Sequence, residues 1–176
     1  MWFSEKAAHC QMTRKLETNE LPRALAAWVF GVDEAVSSGP KLVTAAIIVD
    51  QSRLLAAQRA ASDPLALKWE LPGGKIEQSE TPEEALEREL REEFAVTAFV
   101  GKHYATSDYA YAFGHIRLLA YHVILIRGTL DLNVHEQVRW VTPSEAGEMD
   151  LLPADVPLVD RLIEEPDLRV LQTEFD

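Results

Sequence analysis

Leu71-Pro72-Gly73-Gly74-Lys75-Ile76 runs directly into Glu77-Gln78-Ser79-Glu80-Thr81-Pro82-Glu83-Glu84-Ala85-Leu86-Glu87-Arg88-Glu89-Leu90-Arg91-Glu92-Glu93. A strand end passes into two glycines and then into a helix. Thr81 supplies an N-cap hydroxyl, Pro82 fills the first helical position and Glu84 the third, which is the chemistry of a capping box. Of the seventeen residues from 77 to 93, eight are glutamates. Glu89, Glu92 and Glu93 stand at i, i+3 and i+4, so their carboxylates share a helix face. Like charges at that spacing destabilise a helix by about 0.2–0.5 kcal/mol per pair, and a cation over the cluster relieves the repulsion. Hard oxygen donors suit magnesium, with manganese as the alternative. A solvated acidic face is the ordinary alternative for a charge run. Against that, Leu86, Leu90 and Phe94 give the helix an apolar face, so it reads as a platform packed on one side and acidic on another. Gly73 and Gly74 let backbone atoms approach a ligand beside it.

With these residues in view, Gly74, Glu80, Arg88, Glu89, Leu90, Glu92, Glu93, Ala95 and Val96 resemble the Nudix box, G-x5-E-x7-R-E-U-x-E-E-x-G-U, at every charged position. Ala95 stands where the pattern has glycine. Alanine held at a positive φ there would cost about 1 kcal/mol. In the flanks, Gln58-Arg59-Ala60, Trp69 to Gly74, Arg139-Trp140-Val141 and Leu152 to Pro157 are similar to the MutT-like branch and its CTP pyrophosphohydrolase relatives. The likeness extends from about Leu42 to Ile163. It implies an α/β fold, the Nudix-type α/β/α sandwich with a mixed β-sheet. It also implies magnesium-dependent cleavage of a nucleoside triphosphate to a monophosphate and pyrophosphate. The expected substrates are 8-oxo-dGTP-like or cytosine (d)NTPs, in sanitation of the nucleotide pool. A dinucleoside polyphosphate hydrolase and a non-catalytic nucleotide-binding module are the alternatives. The complete set Glu89, Glu92 and Glu93 argues against the latter, and the absence of proline from residues 110–114 argues against the ADP-ribose-cleaving relatives.

By the same resemblance, Glu89, Glu92 and Glu93 map onto metal-binding and catalytic positions, Glu93 foremost, with the Gly73 carbonyl as a further ligand. Glu80 and Arg88, with Gly74, map onto positions that brace the loop against the helix. Arg59 and Lys75 are expected to contact phosphate, and Leu71, Tyr111 and Asp155 to line the nucleoside site. Asp155 replaces the asparagine expected to read the base; an ionised aspartate only accepts hydrogen bonds, which favours a base edge rich in donors. Its alternative is a carboxylate stabilised at a helix N-terminus. A catalytic glutamate expected six residues before Trp140 is Val134 here; Glu136 is the substitute candidate, and His135 between them is more ordinary as a surface residue.

The net charge of -12 speaks against a nucleic-acid polymer or an anionic membrane as partner. Free nucleotides stay compatible, since a bound cation inverts the local field. Cys10 is the only cysteine, which excludes an intramolecular disulfide and fits a cytoplasmic setting. The apolar stretch from Leu21 to Val32 is too short to span a bilayer. Residues 1–40 read as an N-terminal extension with a helix from Pro22 to Val36, and 41–176 as the catalytic domain, monomeric or homodimeric. Strands are expected over Val43 to Val49, Leu54 to Ala57, Val96 to Tyr104, Ile116 to Ile126 and Val138 to Val141, with a Tyr-rich connection over 107–114. Thr142-Pro143-Ser144-Glu145 should open a short helix, and Ala154 to Glu164 should form the last, with Leu158, Leu162 and Ile163 inward.

Overall fold

Val43 to Val49 has the continuous apolar composition of a strand covered on both faces, and it forms the middle of the sheet. In the computed structural model, which describes residues 39–165, β1 (Lys41–Asp50) pairs in parallel with β5 (Gly114–Arg127), from Lys41 opposite Ile116 to Ile48 opposite Val123. On its other side, only the end of β1 pairs with β2 (Arg53–Arg59), antiparallel, at Val49 and Asp50. The glycine stretch takes over the remaining edge. Thr44 and Ala46 donate to the carbonyls of Gly74 and Pro72, both at 2.8 Å, and Ile76 donates to Leu42 at 3.1 Å. β3 (Trp69–Glu70) and β6 (His135–Val141) flank β2, and β4 (Thr97–Tyr111) is the outer strand beyond β5. The six-stranded sheet is mixed, as anticipated.

Alternation along β1 divides the core. Ala45 and Ile47 face a cluster completed by Leu158, Val159 and Leu162 of α3 (Val156–Glu164), beside the short α2 (Pro143–Gly147). Ala46 and Ile48 face the opposite cluster, filled by Leu86, Leu90 and Phe94 of α1 (Pro82–Phe94), each 0% exposed. The layers are therefore helix, sheet, helix. Both capping boxes are formed: Thr81 with Glu84 and Thr142 with Glu145. Among the described residues no helix is long and apolar enough to cross a membrane.

Two expectations are corrected. The Tyr-rich segment is no connection: β4 continues through it and reverses at Ala112-Phe113, with Tyr111 opposite Gly114 and Ser107 opposite Leu118. Aromatic residues suit cross-strand pairing, and Gly114 takes the φ of +140° that the tight reversal requires. The last helix starts at Val156, and Ile163 is 43% exposed while Val159 turns inward, because one residue is a 100° rotation on a helix. Residues 1–38 of the extension, with the helix read over Pro22 to Val36 and Cys10, lie outside the described residues.

Candidate active site

Three elements bring the site together: the glycine stretch along β1, the acidic face of α1, and the turn before α3. Gly73 has a φ of +152°, and a Cβ there would lie 2.2 Å from the Thr44 carbonyl oxygen. A Cβ on Gly74 would sit 2.3 Å from the carboxyl carbon of Glu89. The two glycines thus allow the backbone to lie flat on β1 and Glu89 to cross directly over it. Glu80 and Arg88 make a bidentate pair, Nε to Oε1 at 2.7 Å and Nη2 to Oε2 at 3.0 Å, while Arg88 Nη2 also donates to the Lys75 carbonyl at 3.0 Å. Arg88 and then the Glu77 N–H hold the Glu80 carboxyl down at about 2. The loop is pinned to the helix by one guanidinium.

The wall of an adjoining cavity of about 410 Å³ is built from Gly73, Gly74, Glu89 and Glu93 on one side. Arg59, Glu70, Leu71, Lys75, Tyr111 and Asp155 also line it. That volume lies within the range of small-molecule sites. Glu93 is the exceptional group. Its Oε2 is buried with no hydrogen-bond partner. Burial, then the neighbouring charges of Glu70 and Glu89, push its carboxyl up to about 8. A buried acid surrounded by other acids, with an oxygen left open, is suited to a cation. Glu89 is mostly buried and pairs with Arg88 Nη1 at 3.0 Å. Among the described residues, no three His, Cys, Asp or Glu side chains are gathered closely enough to hold a metal alone. Magnesium is commonly held by a few carboxylates with water and substrate phosphates completing its shell, so the donor set fits such an ion.

Two predicted residues stand apart from the cavity. Glu92 is 60% exposed and pairs with Arg88 Nη1 at 3.4 Å. Glu136 is exposed on β6, because Gln58 pairs with Gln137 and Arg59 with His135, leaving Glu136 as the extra residue of a β-bulge. Asp155 stands at the N-cap of α3. Its side chain makes no capping bond to α3; Oδ1 instead accepts from the Leu71 N–H at 2.9 Å. Complete burial pushes this carboxyl up to about 8. Burial thus favours the protonated acid, a form that donates as well as accepts. Tyr111 is tied to the same turn, its hydroxyl accepting from the Ala154 N–H at 3.3 Å, and its ring stacks on Phe113 at 4.8 Å.

Sequence reasoning missed Glu70 and undervalued His135. Glu70 follows a buried tryptophan in a two-residue strand, and no spacing rule marks it. The His135 side chain is 4% exposed and lies 3.0 Å from the Glu70 carboxylate.

Residues 40–162 match the NUDIX domain. The chain is 42% identical over 118 residues to the CTP pyrophosphohydrolase of Escherichia coli (strain K12), covering 67% of this chain and 87% of that protein. It is 31% identical over 113 residues to the 8-oxo-dGTP diphosphatase of the same organism, covering 64% and 88%. The solution structure of the E. coli ORF135 protein superposes with a TM-score of 0.65 at 38% identity, over 77% of this chain and 94% of that one.

Proposed function

Because the chain belongs to the NUDIX domain family, we propose that it is a divalent-cation-dependent nucleoside triphosphate diphosphatase, releasing a monophosphate and pyrophosphate. The proposed substrates are 8-oxo-dGTP-like or cytosine (d)NTPs, which sets the chain beside relatives named CTP pyrophosphohydrolase and 8-oxo-dGTP diphosphatase. The observation that carries the reading is the buried, unpartnered oxygen of Glu93, a residue that lines the cavity.

Glu93 and Glu89, with the Gly73 carbonyl, would hold magnesium or manganese; Glu92, the other acid of that helix face, would join them only by turning away from Arg88. The ion would neutralise phosphate charge and activate water for attack on phosphorus. Arg59 and Lys75 bind the phosphates: the guanidinium offers planar donors and the ammonium a mobile charge. Glu80 and Arg88 keep the glycine loop flat, and so keep Gly73 and Glu89 in register. At the other end, Tyr111 offers an aromatic surface to the base and Asp155 a polar one. With Oδ1 engaged by Leu71, the protonated Asp155 donates through its other oxygen, the role an amide nitrogen would play. Guanine-type and cytosine-type edges both present acceptors to such a donor.

A chromatographic panel tests this: NTPs, dNTPs, 8-oxo-dGTP, 5-methyl-dCTP, ADP-ribose and diadenosine polyphosphates, each with magnesium and with chelator. Magnesium-dependent monophosphate plus pyrophosphate from a single class of triphosphate is expected. Turnover of none of these compounds would replace the enzyme by a nucleotide-binding module.

A further inference from the structure

Glu70 ends β3 at 9% exposure and is divided between two partners. Its Oε2 accepts from Arg59 Nη1 at 2.6 Å, and its Oε1 lies 3.0 Å from His135 Nε2. A carboxylate accepting on both oxygens requires the hydrogen on Nε2. Among the described residues the imidazole has no other polar anchor, since Nδ1 is buried without a partner. Its plane is set by Phe94, on which it stacks with centroids 4.9 Å apart at 11°. His135 owes this inward position to the bulge that ejects Glu136 and places His135 opposite Arg59. Bulges of this kind re-aim side chains beside functional sites.

Arg59 is held in turn. Nη1 pairs with Glu70, Nη2 with Asp63 at 3.0 Å, and Nε is buried with no partner, in a residue that lines the cavity. The two carboxylates fix the guanidinium plane and engage one N–H on each terminal nitrogen, leaving the second N–H of each and the Nε–H without a carboxylate. We infer that His135 is a positioning residue for phosphate binding: stacked on Phe94, it holds Glu70 against Arg59, so that the guanidinium, which lines the cavity, keeps a fixed plane toward a phosphate bound there. The inference rests on the phosphate role proposed above for Arg59. It ties the end of the acidic helix to the phosphate contact through a single ring.

The test is a calorimetric titration of the full chain with inorganic pyrophosphate in magnesium buffer. His135→Phe keeps the stack and removes the donor; His135→Gln restores a donor at the reach of Nε2. His135→Phe should weaken pyrophosphate binding about 10-fold, as loss of a hydrogen bond to a charged group does, with His135→Gln within about 3-fold of wild type. In turnover the first variant should raise KM and leave kcat nearly unchanged. In an Arg59→Gln background, His135→Phe should cost nothing further. If His135→Phe lowers the melting temperature, His135→Asn, polar but shorter in reach, should show the same loss of affinity. Wild-type affinity in His135→Phe, full additivity with Arg59→Gln, or a wild-type chain that fails to bind pyrophosphate would each overturn the positioning role. A chain that binds pyrophosphate in this pattern but cleaves no triphosphate would defeat the proposed activity and leave the positioning role standing.

Discussion

Glu80 and Glu93 lie at the two ends of one motif and have opposite environments. Glu80 receives two nitrogens of Arg88 and the Glu77 N–H, and its carboxyl sits at about 2. Glu93 is buried beside Glu70 and Glu89 with one oxygen open, and sits at about 8. One acid is satisfied by the fold; the other is left for something the fold does not supply. The difference separates the acids that build the site from those that act in it, which spacing alone cannot do, because all are glutamates on one short stretch.

The largest expected effect comes from removing the charge at the unsatisfied end. Glu93→Gln should lower magnesium-dependent turnover on the order of a hundred- to a thousandfold. In chelator its melting temperature should match or exceed wild type above neutral pH, because a buried, repelled carboxylate has been neutralised. A variant both inactive and markedly destabilised would merge the two classes of acid. At the braced end, Glu80→Gln should lower the urea midpoint and reduce turnover far less than Glu93→Gln does, as measured by paired denaturation and turnover assays. An intact midpoint with lost turnover would move Glu80 into the chemistry.

Asp155 sharpens the comparison from the far side of the cavity. Burial raises its folded carboxyl to about 8. The folded form thus binds the proton more tightly than the unfolded chain, so this contribution to stability is complete below about pH 4 and is lost as pH rises toward 8. Asp155→Asn should flatten the stability profile across that window, by up to about 1.4 kcal/mol per pH unit for a fully coupled group. Chemical denaturation at stepped pH, in chelator, measures it. The smallest effect concerns the helix end. Ala95 is left-handed, with φ of 56° and ψ of 29°, and its N–H caps Arg91. Ala95→Gly should stabilise the fold by about 0.5–1 kcal/mol without changing turnover.

The elements that position the site were legible because their signals are local. The capping box at Thr81, the Leu86, Leu90 and Phe94 stripe, and the demand for positive φ at Ala95 depend on residues within a few positions of one another. The glycine pair was read as a loop, and its zipper along β1 follows from the early divergence of β2, which spacing does not encode. The tyrosine-rich stretch looked like a connection because turn residues punctuate it, whereas cross-strand pairing with β5 keeps it extended. Glu70 and Asp155 escaped a full reading for one reason: their partners come from distant segments, Glu70 meeting His135 and Asp155 meeting the Leu71 N–H. Glu136 and His135 exchange places through one bulged residue, an irregularity that leaves no trace in hydrophobic alternation.

The most direct test of the contrast between the two glutamates is a titration of the chain with Mn²⁺ followed by water-proton relaxation, comparing wild type, Glu80→Gln and Glu93→Gln. Binding retained in Glu80→Gln and lost in Glu93→Gln is the predicted result. Equal binding by wild type and Glu93→Gln would contradict the assignment of the open, buried oxygen to a cation.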